Sequence, residues 1–193
     1  MLNTLATRLA RRLLLKNVII EDHFDVYVYG FELLISSISS TVLIFLIGLL
    51  THNILQTIAF LVTFILLRQF SGGYHANTYG VCFVVTLSVF GLVLLLANHI
   101  QIHLTAFWVL SVIGTFLLIG VAPIENPNKK ITPEQRNKFK LISVVLFILL
   151  ILIAITLRDF APRVSSTVFF VLMADLILLF IKTKRKEKTN ESN

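Results

Sequence analysis

The chain holds one cysteine in 193 residues. No internal disulfide can form, so the thiol of Cys82 is left either to do chemistry or to pack. Charge is also scarce: 14% of the residues are Asp, Glu, Lys or Arg, where a soluble domain carries about 25%. What fills the gap is apolar, 56% of the chain, with a mean hydropathy of +0.88. Apolar runs near the length of a membrane span recur from end to end, which leaves no room for a separate soluble domain. The first 20 residues lack the uncharged core of a cleaved signal, because Arg8, Arg11, Arg12 and Lys16 interrupt them; they are expected to stay with the chain. No internal repeat is visible. The net charge of +7 sits at the edges of apolar segments, a distribution that points to lipid and not to nucleic acid.

The pattern predicts an all-α polytopic membrane protein, a single integral domain over 1–193. Residues 1–20 form its first part. Leu2, Leu5, Ala6, Leu9, Ala10 and Leu13 recur at steps of three and four, opposite Arg8, Arg11 and Arg12. That spacing predicts an amphipathic helix lying at the membrane surface, with a basic anchor of no fixed structure as the alternative. Six transmembrane helices follow between 27 and 181, over about Tyr27–Leu50, Ile54–Leu67, Tyr79–Ala97, Leu104–Val121, Leu141–Leu157 and Val164–Ile181. Residues 182–193 form a basic tail. The second segment is short, since 14 residues span about 21 Å against a hydrocarbon core of roughly 30 Å. It is expected to end in a recess holding the polar turn from Arg68 to His75.

The cations orient the bundle. Fifteen of the 17 lie at the N-terminus, at Arg68, in the Lys129–Lys140 loop or in the tail, while only Arg158 and Arg163 fall on the other side. The positive-inside rule then puts both termini, Arg68, His75 and Cys82 in the cytoplasm and His52, His99 and His103 outside.

Topology thus leaves His75 and His23 on the side of Cys82. A thiol and an imidazole suffice for a cysteine nucleophile with its general base, although an inert thiol and an interfacial histidine are the plain alternative. In a continuous helix two residues seven apart sit about 10 Å from each other along the axis, too far for proton transfer. A working pair therefore needs the chain to turn at or after Gly72-Gly73, with the third helix starting near Asn77 or Thr78. Glu32, Ser36, Ser39 and Ser40 are placed on one face of the first helix, and Asp175 lies within the sixth. Acids inside a bilayer point to function by default. Glu32 and Asp175 either orient His75 or pair structurally with Arg68 and nearby hydroxyls.

The arrangement Arg-x4-Gly-x-His-x6-Cys, here Arg68, Gly73, His75 and Cys82, resembles the accessory gene regulator protein B (AgrB) family. So does the segment Ala122-Pro123-Ile124-Glu125-Asn126-Pro127-Asn128-Lys129-Lys130 after the fourth span. The resemblance covers nearly the whole chain. It implies a membrane-embedded cysteine endopeptidase of quorum sensing, which removes the C-terminal tail of an AgrD-like precursor peptide and closes the remainder into a thiolactone or lactone. It also implies that Cys82 is the nucleophile, His75 the base, and Arg68 and Gly73 supporting positions. The expected partners are the precursor peptide and the lipid bilayer, with a homodimer left open. No metal and no cofactor is expected. The expected location is the cell membrane, multi-pass, with both termini cytoplasmic. The alternatives are a small transporter or exporter subunit with Cys82 non-catalytic, and a membrane cysteine protease releasing a linear product.

Overall fold

A computed structural model gives the structure of residues 2–72, 79–124 and 132–191. Among them are seven α-helices and no strand: α1 (Leu2–Leu15), α2 (Phe24–Leu50), α3 (Ile54–Ser71), α4 (Tyr79–His99), α5 (Leu104–Val121), α6 (Pro133–Leu157) and α7 (Pro162–Glu191), with a 3-10 turn at Glu21–His23 before α2. Six of them, α2 to α7, are long and apolar enough to cross a membrane. Their outward surface is apolar as well. Phe116 is 70% exposed, and Leu46, Val62, Leu92, Leu149 and Ile177 are exposed with it. In water such a surface would be an aggregation patch; in a bilayer it is the solvent-facing side.

One helix holds the bundle together. The span of α7 is 56% buried, against 22% for α2, α4 and α5, so α7 is the central post. It packs on α3, α4, α5 and α6. One core cluster joins Leu67, Phe107, Leu118, Phe147, Ala154, Phe169 and Leu172, from α3, α5, α6 and α7. The other joins Ile44, Phe60, Phe64, Phe90, Val93 and Val171, from α2, α3, α4 and α7. Phe60 is common to two ring contacts, stacked on Phe64 at 5.2 Å and edge-on to Phe90 at 5.0 Å. Both geometries are favourable for aromatic pairs. Where α2 and α3 meet, Gly48 lies so close to Thr57 that a Cβ there would overlap the threonine hydroxyl.

The amphipathic N-terminal helix is present as α1. It packs against α2, with Ala6 and Ala10 fully buried. Several boundaries differ from the sequence expectation. The short second span is longer by a turn: α3 runs on through Arg68, Gln69 and Phe70 to Ser71, about 27 Å at the helical rise. Arg68 does not stop it, because its guanidinium lies back over the Phe64 ring one turn earlier, 4.6 Å from the centroid. Arg136, Lys138 and Lys140 stand on α6 and not in a loop. That helix starts at Pro133 behind a capping box, in which Thr132 Oγ1 accepts from the Gln135 amide and Gln135 Oε1 accepts from the Thr132 amide. The tail continues α7 as helix to Glu191. On α2, Glu32, Ser36 and Ser40 are buried but Ser39 is exposed. Steps of four keep residues on one face, and Ser39, one residue before Ser40, is turned about 100° away.

The links alternate between two ends. At one, the α2–α3 link, the α4–α5 link and the α6–α7 turn meet: Gln56 donates to Thr167 Oγ1 at 3.3 Å, and Arg158 donates to the Ile102 carbonyl at 2.6 Å. At the other lie Arg68, the start of α4 and the end of α5.

Candidate active site

The end of α3 is the anchor of the site. Gly72 stops the helix with φ +74°, a conformation that side chains disfavour. Ser71 Oγ donates to the Gly72 carbonyl at 3.1 Å. The Ser71 carbonyl, left open by the end of the helix, accepts from the Ile124 amide at 3.1 Å. This bond fastens the Ala122-Pro123-Ile124 segment across the C-terminus of α3. Ala122 and Pro123 are buried there, and Ala122 joins Leu67 and Leu118 in the core. A Cβ on Gly72 would collide with the Ile124 carbonyl oxygen. Glycine is thus required twice over, for its φ and for the close approach. Beside it Phe70 faces Phe139 of α6 at 6.2 Å.

The end of α3 and the Ala122–Ile124 segment, about fifty residues apart, are therefore one structural unit. Sequence reading named Arg68 and the Ala-Pro segment, Ile124 included, separately and missed Ser71, whose backbone bond to Ile124 makes the connection. No side-chain pattern could have announced that bond.

Cys82 stands on the first turn of α4, half-buried. Thr86 Oγ1 donates to its carbonyl at 2.9 Å. The helix that carries it packs on α2 and on the central α7. Gly73 and His75 lie outside the described residues, as do Glu125–Lys130 of the second signature. Helix α3 ends at Ser71 before Gly72 and α4 is described from Tyr79, so the expected turn and helix start between them lie outside the described residues.

The two acids part company. Asp175 is 3% exposed on α7, and its Oδ2 has no hydrogen-bond partner among the described residues. It is within electrostatic reach of Arg68, across the α3–α7 contact. A buried carboxyl of this kind depends on its cation, since desolvation is costly without one. Glu32 is tied elsewhere: its Oε1 accepts from Asn3 Nδ2 of α1 at 2.8 Å. Asn3 is thus another residue that sequence reading missed, because the amphipathic pattern of α1 drew attention to its leucines and arginines. Among the described residues no group of three His, Cys, Asp or Glu could hold a metal ion.

The sequence profile of accessory gene regulator B matches residues 3–182. The chain belongs to the accessory gene regulator B family. It is 27% identical over 125 residues to accessory gene regulator protein B of Staphylococcus haemolyticus, a stretch that covers 65% of this chain and 66% of that protein. It is 26% identical over 158 residues to the protein of the same name from Staphylococcus intermedius, covering 82% and 83%. With that of Staphylococcus saprophyticus it shares 23% over 130 residues, 67% of this chain and 69% of the other. The first of these matches thus spans just under two thirds of its relative. No solved structure matches the chain.

Proposed function

We propose that the chain is a membrane-embedded cysteine endopeptidase that cuts the C-terminal tail from a quorum-sensing precursor peptide and cyclises the remainder into a thiolactone or lactone. The observation that carries this reading is the position of the one thiol. Cys82 is half-buried on the first turn of α4, at the end of the bundle where the Ser71–Ile124 bond fastens the Ala122–Ile124 segment to the end of α3. Membership of the accessory gene regulator B family supports it.

In this mechanism His75 takes the Cys82 thiol proton, and the thiolate attacks a backbone carbonyl carbon of the precursor. The carbon–nitrogen bond breaks. The tail leaves as an amine carrying the proton returned by His75, and the precursor remains on Cys82 as a thioester. An upstream thiol or hydroxyl of the same peptide then attacks the thioester carbonyl, closes the ring and frees Cys82. Thioester exchange changes little in energy, so ring closure wins only where water is held back; a half-buried sulfur in an apolar bundle meets that need. Arg68 and Gly73 serve as supporting positions. Asp175 holds Arg68 by its charge, and Glu32 supports the site from α2 while keeping α1 docked. The substrate is an AgrD-like precursor lying in the same bilayer, and the expected orientation puts the site on the cytoplasmic side of the cell membrane.

The test is to incubate purified protein in liposomes with candidate precursors and weigh the products. A free tail plus a remainder lighter than the linear peptide by one water supports the full reading. A linear remainder reduces the reaction to plain proteolysis. No cleavage of any precursor, with folded protein, overturns the enzyme.

A further inference from the structure

At the end of the bundle away from Cys82, the α2–α3 link and the α6–α7 turn line an open cavity of about 400 Å³. Its lining is largely apolar, and the polar groups it does hold favour a negative charge. Two helices begin on its wall, α3 at Ile54 and α7 at Pro162. The first amides of a helix have no acceptor within it. Here neither helix supplies a cap: the Asn53 amide group donates instead to the Thr51 carbonyl at 2.9 Å, and Ala161, whose carbonyl accepts from Ser165, has no polar side chain. Two positive helix ends therefore open into one space. Arg163 and His52 line the same cavity, and no acid does. Asp159 belongs to the adjoining turn but not to the lining, and Arg158 is engaged by the Ile102 carbonyl.

The floor adds a second requirement. Gln56 is 4% exposed and lines the cavity. Its Nε2 donates to Thr167 Oγ1, whose own proton goes to the Arg163 carbonyl at 2.8 Å. That chain fixes the amide's orientation and leaves Gln56 Oε1 with no donor among the described residues. A carbonyl oxygen without a donor, on a buried side chain that lines a cavity, can take one from a ligand. The ligand must thus offer an anion to Arg163 and the helix ends, and a hydroxyl to Gln56.

We propose that this cavity binds a hydroxyl-bearing phosphate ester of the glycerophosphate type. The mouth favours the lipid form. Leu55, 68% exposed, stands at it, and Ile58, Val62 and Ile65 continue an exposed apolar stripe along α3 where acyl chains can lie. The inference is independent of the chemistry assigned to Cys82.

The experiment measures binding to the full-length chain in detergent by titration calorimetry. Three probes are used: dioctanoyl phosphatidylglycerol, sn-glycerol 3-phosphate and dioctanoylglycerol. The first is expected to bind and the third, which lacks phosphate, to fail. Binding of glycerol 3-phosphate as tightly as the lipid supports a soluble phosphate ester as the occupant; binding of the lipid alone supports a membrane phospholipid. Arg163→Gln, at an exposed position, should weaken the phosphate probes at least tenfold, as loss of a charge-assisted contact requires. Leu55→Trp, which blocks the mouth with Arg163 intact, should do the same and serves if Arg163→Gln fails to fold. Equal affinity in wild type and both variants, or dioctanoylglycerol binding as tightly as phosphatidylglycerol, overturns the proposal.

Discussion

Replacing the sulfur of Cys82 with hydrogen removes the one thiol in the chain and little else, because the residue is half-buried and no core cluster includes it. Cys82→Ala should therefore lower precursor cleavage by ~1000-fold or more, on the scale seen when a nucleophile is deleted, with its melting temperature in detergent unchanged. Mass spectrometry of the cleaved tail is the readout, and near wild-type cleavage would end the endopeptidase reading. Gly72 is the opposite case, a residue whose role is conformational. Gly72→Ala meets both a positive φ and the Ile124 carbonyl. It should cost about 1–3 kcal/mol, seen as a fall in melting temperature. If the variant melts like wild type, Gly72 is not the clamp on the Ala122–Ile124 segment.

Between elements, packing at single positions sets how helices meet. Gly48→Ala pushes α2 off Thr57 of α3, and overpacking of this kind costs about 1–3 kcal/mol. A thermal melt of the variant would measure it, and recovery in Gly48→Ala with Thr57→Ala, which removes the clashing hydroxyl and methyl, would locate the strain at that contact. Helix α1 depends on a different kind of contact. Asn3→Ala leaves Glu32 buried without its donor. The expected loss is about 1–3 kcal/mol, with faster proteolysis within residues 2–15. Replacing both partners by leucine should recover most of it, since the cost lies in the orphaned carboxylate. If the double variant stays as labile as the single one, the hydrogen bond is not what docks α1.

For the whole molecule, the distribution of cations forecasts which end faces the cytoplasm. In a Cys82→Ala background, single cysteines at positions 52 and 99 should react with impermeant reagents added outside intact cells. A cysteine at position 130 should react only after lysis. The reverse pattern would invert the bundle and move Cys82 to the outer side. The geometry already accounts for one of the two outlying cations, because Arg158 is bound to the α4–α5 link through Ile102.

What the sequence determined by itself is whatever depends on composition and period. Runs of apolar residues with few charges can satisfy their backbone in lipid only as helices, so six spans and an amphipathic α1 were readable in one dimension. The motif from Arg68 to Cys82 and the Ala-Pro segment were readable as well, because they break those runs. The tertiary structure alone decided how those breaks combine. The Ser71–Ile124 bond is made by backbone atoms, which carry no residue signature. The length of α3 depended on Arg68 folding back over Phe64. Ser39 went to the lipid face through a rotation of about 100° per residue, which turns it away from Ser36 and Ser40. The convergence of two uncapped helix starts on one cavity joins residues more than a hundred positions apart. Each of these rests on distance and direction in three dimensions, and periodicity along a chain holds no record of which helix end will meet which.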